Sequence, residues 1–191
     1  MDSEQDKDRM DCIAQTTAHI RCVQSLLLTV CNDLMLRAIR HDASKLQNPE
    51  FATFVEFTPK LRDSTYGSDE YKGFLASMKP ALDHHYANNS HHPEHFENGV
   101  QDMTLLDLLE MLLDWKAATE RHADGDIFKS IEINRKRFNM PPEIGDLLLR
   151  TAESLFPKFL EPWHCYGCGA SGCRYNFCYQ CGAGRNDYVK Q

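Results

Sequence analysis

The sequence predicts an all-α fold, and three observations carry the prediction. Apolar residues return at helical spacing through Ile13, Ile20, Val23, Leu27, Val30 and Leu34. They do so again through Leu105, Leu108, Leu109, Leu112, Leu113 and Trp115. Breaks at Asn88-Asn89-Ser90, Asp124-Gly125-Asp126 and Pro141-Pro142 divide the rest into helix-length pieces, with no repeat and no low-complexity tract.

In chain order, residues 1–8 are charged and predicted to fray. A helix follows from about Arg9 to Arg40; a break near Asn32-Asp33 is compatible with the pattern but not required by it. Asn48-Pro49-Glu50 starts a short helix through Phe57, and Thr58-Pro59 ends it, because the residue before proline is pushed out of the helical region. Tyr66-Gly67-Ser68 turns into the next helix. Ser68 is its N-cap, Asp69 and Glu70 favour the positive end of its dipole, and it runs to about Tyr86. His91 to His95 form a loop. Helices then cover Met103–Glu120, Ile127–Phe138 and, opened by Pro141-Pro142, a last stretch through Leu155. Phe156-Pro157 through Pro162-Trp163 reads as a short linker, after which the composition changes to Cys, Gly, Tyr and Asn. The expected organisation is a helical domain over 1–160 and a small module over 161–191.

The 191 residues, 42% of them hydrophobic, suffice for one domain with a core plus an appendage. Net charge is -7 and the pI about 5.7. That balance argues against general binding to nucleic-acid backbone, which needs clustered Lys and Arg. A small anionic substrate can still be held by a bound metal and a few local cations. No apolar run approaches the roughly 20 residues needed to span a bilayer, so no membrane partner is expected. Met1 to Asp6 is acidic and polar, unlike a signal peptide, and the expected compartment is the cytoplasm. Cys12, Cys22 and Cys31 read as buried reduced thiols on an apolar helix.

The chemistry concentrates around His41-Asp42-Ala43-Ser44-Lys45. An imidazole beside a carboxylate offers a divalent ion one nitrogen and one oxygen. His19 lies upstream; His84, His85, His91, His92 and His95 crowd into twelve residues downstream. Asp107, Glu110 and Asp114 are spaced i, i+3, i+7 and share a helix face.

The order His, His-Asp, His cluster, Asp resembles the HD-domain superfamily of metal-dependent phosphohydrolases. In those enzymes one helix supplies the first His, the next His-Asp, and a late helix the closing Asp. His19, His41, Asp42 and Asp114 match that order. A two-metal branch adds three histidines, matched by His85, His91 and His92, and a Lys three residues after the Asp, matched by Lys45. The wider pattern is similar to a family of uncharacterised bacterial and phage proteins, the domain of unknown function 5662. It matches through Thr17-Ala18-His19-Ile20, the His41–Lys45 segment, His85 with Asn89, His91-His92, Glu110 to Trp115, and Ser130, Asn134 and Arg137.

The resemblance implies metal ligands His19, His41, Asp42, His85, His91, His92 and Asp114, with Asp42 bridging. Imidazole and carboxylate suit Mn, Fe, Zn, Ni or Co, with Mg a further candidate, and one or two ions are both compatible. Two ions about 3.5–4 Å apart clamp a phosphate. Lys45 is expected to reach a phosphate oxygen as a point charge. Asn134 and Arg137 are candidates for a second phosphate or a sugar, and Glu94 for orienting a histidine or acting as base. His84 and His95 are spare imidazoles.

The expected function is hydrolysis of a nucleotide or another small phosphorylated compound. The same ligand set serves di-iron oxygenases on this scaffold, and a non-catalytic binding protein is the third reading. A ferritin-like di-iron bundle needs a Glu-x-x-His pair from each of two helices and is set aside, because the single such spacing, Glu161-Pro-Trp-His164, falls after the last predicted helix.

Cys165-Tyr-Gly-Cys168-Gly169 and Cys178-Tyr-Gln-Cys181-Gly182 are two copies of Cys-x-x-Cys-Gly. Four thiolates in two tight turns fit tetrahedral zinc, and each glycine permits positive φ. The tail resembles zinc-ribbon modules and, at this size, depends on its metal to fold. Cys173 is left over. Tyr166, Tyr175, Phe177 and Tyr179 are expected to pack on the zinc core or the helical domain rather than to stack on nucleic-acid bases or contact a protein partner.

Overall fold

The computed structural model describes residues 2–64, 68–121, 125–157, 164–165 and 167–171. Among them helix accounts for 77% and strand is absent, so the fold is all-α as the periodicity predicts. Seven helices are described: α1 (Asp2–Arg40), α2 (Glu50–Asp63), α3 (Asp69–Ser77), α4 (Lys79–Asn88), α5 (Leu105–Thr119), α6 (Ile127–Arg137) and α7 (Pro142–Leu155). They divide into two compact units, Met1–Asn89 and Ser90–Gln191.

In the first unit α1 is one unbroken helix through Asn32-Asp33. Its large apolar side chains, Ile13, Ile20, Val23, Leu27 and Val30 among them, are exposed, and so are Cys12, Cys22 and Cys31, which the apolar pattern predicts to be buried. By length and composition α1 is apolar enough to cross a membrane. This revises the expectation drawn from consecutive apolar residues. Uncharged Gln24, Ser25, Thr29 and Asn32 interrupt the run without adding charge.

A 3₁₀ turn over Ala43–Leu46 follows α1 and packs on α2 and α4. α2 continues through Pro59 to Asp63, past the predicted stop. Proline removes one backbone donor, the partner of the Val55 carbonyl. Val55 is exposed, so water can take that carbonyl. Phe57 meets Phe74 of α3 at 6.1 Å between ring centroids and fixes the last turns. The helix predicted over 69–86 is two helices, α3 and α4, meeting at Met78. Pro80, in the first turn of α4, has no N–H with which to continue α3, and its ring opposes the Ala76 carbonyl. Ser68 caps α3 as expected, accepting from the Tyr71 N–H at 3.1 Å. The interior of this unit is partly polar: Glu50 and His85 are as deeply buried as Met78.

The second unit has an apolar core. Leu108, Met111 and Leu112 of α5 meet Ile127 and Ile131 of α6, Leu148 and Ala152 of α7, and Val100, Met103 and Met140 of the connections. Trp115 stacks on Phe138 at 6.3 Å. Leu112 is fully buried. Leu112→Ala is expected to lower unfolding stability by about 3 kcal/mol in denaturant titration, the usual cost of a core cavity.

Candidate metal centre

Each unit carries its own cluster of donor atoms. In the first, α1 ends at Arg40 and the chain turns sharply: Asp42 has φ +55°, a left-handed conformation that aspartate tolerates better than most residues. The turn presents the His41 and Asp42 side chains together, with Nε2 of His41 3.7 Å from Oδ2 of Asp42. Asp42 Oδ2 also pairs with Lys45 Nζ at 2.6 Å, and Lys45 lies over the Phe54 ring. Asp42 Oδ1 stands 3.2 Å from Nε2 of His85 on α4.

The other side of the His85 ring determines what that approach means. Nδ1 lies 2.9 Å from Oε2 of Glu50, a buried carboxylate that only accepts. Ser44 Oγ donates to the same oxygen at 3.1 Å. The Asn89 amide donates to Ser44 Oγ at 2.9 Å and to the His85 carbonyl at 2.8 Å. Ser44 Oγ and the Asn89 amide also stand 3.1 Å from Nδ1, so three polar groups hold this side of the ring while Nε2 is directed at Asp42. An imidazole nitrogen and a carboxylate oxygen 3.2 Å apart can share a proton or a metal ion. Two ligands about 2.1 Å from one ion at right angles are themselves about 3.0 Å apart. The carboxylate–histidine pair behind such a ligand is the usual device for fixing ring and tautomer. The donor set therefore fits a divalent cation. The other Glu50 oxygen takes His84, Nδ1 to Oε1 being 2.7 Å.

In the second unit His91 is buried, with Nδ1 3.2 Å from Oε1 of Glu110 on α5. Its ring lies against that of His92, centroids 4.1 Å apart. Asp114, one turn beyond Glu110, is partly buried on the same helix. Asp107, third on the acidic spacing, has a different task. It closes a capping box at the start of α5, accepting from the Thr104 N–H at 2.9 Å while the Asp107 N–H donates to Thr104 Oγ1. It also accepts from Ser90 Oγ at 2.6 Å. Asp107→Ala is expected to cost about 2 kcal/mol of stability through lost capping and orphaned donors, with metal content unchanged by elemental analysis.

Four other sequence-predicted residues have partners within the second unit. Glu94 accepts from Arg137 Nη2 at 2.9 Å, both being exposed. Asn134 is buried and donates to the Ser130 carbonyl at 3.1 Å. His95 rests edge-on against Phe96. His19 is not brought to the His41–Asp42 turn. It is exposed on the unbroken α1, and the 21 residues to Arg40 rise by about 32 Å. Glu50 and Ser44 were not read from the sequence as site residues. An acid after proline at a helix start reads as a solvated N-terminal residue, and nothing local marks it as buried.

Residues 8–156 match the model of the family of unknown function DUF5662. The chain belongs to that family. No curated protein matches the chain, and no solved structure does. The DUF5662 match spans both donor clusters, ends just past α7 and excludes the cysteine tail.

In that tail the Cys165 N–H donates to the Ala170 carbonyl at 2.8 Å and the Gly169 N–H to the Cys165 carbonyl at 2.9 Å. Gly169 has φ +78°, the conformation that the Cys-x-x-Cys-Gly pattern requires. Cys165 is buried and Cys168 exposed. Cys173, Cys178 and Cys181 lie outside the described residues, as do Tyr166, Tyr175, Phe177 and Tyr179.

Proposed function

We propose that this DUF5662 protein is a metal-dependent phosphohydrolase with an HD-like helical domain, acting on a nucleotide or another small phosphorylated compound. The observation that supports the reading is the Glu50–His85–Asp42 line, a buried carboxylate 2.9 Å from one ring nitrogen of an imidazole whose other nitrogen lies 3.2 Å from a second carboxylate. The proposed ligands nearest that line are His41, Asp42 and His85; the sequence adds His91, His92 and Asp114. His19 leaves the proposed set. When bound, a divalent ion supplies Lewis acidity toward a phosphate oxygen.

The chain's own residues do the remaining work. Glu50 fixes the His85 tautomer and ring. Lys45 neutralises one Asp42 oxygen and offers a cation that a phosphate can compete for. Within the second unit, Arg137, held by Glu94, stays the sequence-based candidate for a second phosphate or a sugar. In the tail, Cys165, Cys168, Cys178 and Cys181 are proposed to bind a structural zinc, a reading supported by the Gly169 turn.

The test is phosphate release from a nucleotide panel with Mn, Mg, Co and Ni in turn. The reading expects release by the wild type and none by Asp42→Ala. A folded, metal-loaded protein that releases no phosphate with any ion would overturn the hydrolase; oxygen uptake by an iron-loaded sample would then identify the oxygenase.

A further inference from the structure

We propose that α1 is a self-association helix that pairs with α1 of a second copy as an antiparallel coiled coil. The spacing along it is stricter than amphipathicity requires. Ile13, Ile20, Leu27 and Leu34 stand seven residues apart, with Thr16, Val23 and Val30 three residues after the first three. This alternation of three and four is the a/d seam of a left-handed coiled coil. Burial within one chain uses it only at its C-terminal end, where Leu34 is partly buried. Ile13 is 57% exposed, Ile20 48% and Leu27 60%.

A helix of this length is about 58 Å long, and helices draw most of their stability from packing an apolar face. Ile13, Ile20, Val23, Leu27 and Val30 leave apolar side chains exposed over more than two heptads, the kind of surface that a stable complex covers.

Two features select a second copy and its direction. Insertion of α1 in a bilayer would carry Arg21 and Asp33 into hydrocarbon, together with Gln24 and Asn32. In the coiled coil all four stay off the a/d seam. The N-terminal third of α1 carries Glu4, Asp6, Asp8 and Asp11 against Lys7 and Arg9, whereas its last turn carries Arg37 and Arg40. Parallel pairing would set acid against acid. Antiparallel pairing sets the acidic end of each copy against the basic end of the other.

The test is sedimentation equilibrium of the full chain at micromolar concentrations. One copy weighs 22.0 kDa, and twice that mass is expected. Ile20→Asp with Leu27→Asp should halve the observed mass; both positions are exposed, so neither unit loses a core residue. Arg37→Glu with Arg40→Glu should weaken the dimer at least 10-fold, and adding Asp8→Lys and Asp11→Lys should restore it. A monomeric wild type, a dimer indifferent to the seam substitutions, or flotation with phosphatidylcholine–phosphatidylglycerol vesicles would each overturn the proposal. A charge reversal without effect would overturn the antiparallel direction.

Discussion

Asp42→Asn is expected to abolish metal binding at the helical site while leaving the protein folded. Asparagine tolerates the φ of +55° at this position nearly as well as aspartate, so the backbone turn survives. What disappears is the anionic oxygen 3.2 Å from His85 Nε2 and the charge that pairs with Lys45. Losing an inner ligand should exceed the 10- to 100-fold loss typical of an outer partner, so affinity is expected to fall by more than about 100-fold. Elemental analysis after dialysis against trace Mn or Zn reads this directly, and circular dichroism checks the fold. Unchanged metal content at the helical site would remove Asp42 from the ligand set.

Glu50→Gln probes the same site from behind. The substitution preserves volume but replaces one of the two acceptor oxygens with an NH₂ group. Both oxygens are used, one by His84 and one by His85 with Ser44. One imidazole must therefore lose its acceptor. The His84 side chain is 41% exposed and can turn to water, whereas His85, 1% exposed, cannot, so the costs below apply where the amide faces His85. Metal affinity is expected to fall 10- to 100-fold although every proposed ligand is still present. Stability should drop by about 1–3 kcal/mol, the cost of an unsatisfied buried donor. Isothermal titration with Mn or Zn measures the first effect and urea denaturation the second. A stability loss with unaltered metal affinity would make Glu50 a core residue only.

The parts of this architecture that local chemistry controls were legible in the sequence. The caps of α3 and the spacing of α5 and α6 follow from single residues and a 3.6-residue period. Two boundaries were misplaced because proline acts through its surroundings. Pro59 was compatible with a continuing helix whose freed carbonyl faces water, whereas Pro80 separated two helices that share one polar pattern. The site was legible to the extent that its donors are unusual residue types at close spacing, as His85, His91 and His92 are. Glu50 was not, because its importance comes from a contact across 35 residues. Asp107 and Glu110 looked equivalent on the helical wheel. Thr104 and Ser90, which make Asp107 a cap, lie outside the repeat that defines the wheel.

The capping box has a consequence for which changes this region tolerates. It fixes where α5 begins, so the angular phase of every later residue is counted from Thr104. Glu110 and Asp114 hold their bearings by arithmetic rather than by contacts of their own alone. One inserted residue between Asp107 and Glu110 would turn both carboxylates through about 100° and lift them about 1.5 Å. The stretch should therefore accept many changes of side chain on its outer face but no change of length, and a single-residue deletion scan would show a sharp edge at Thr104.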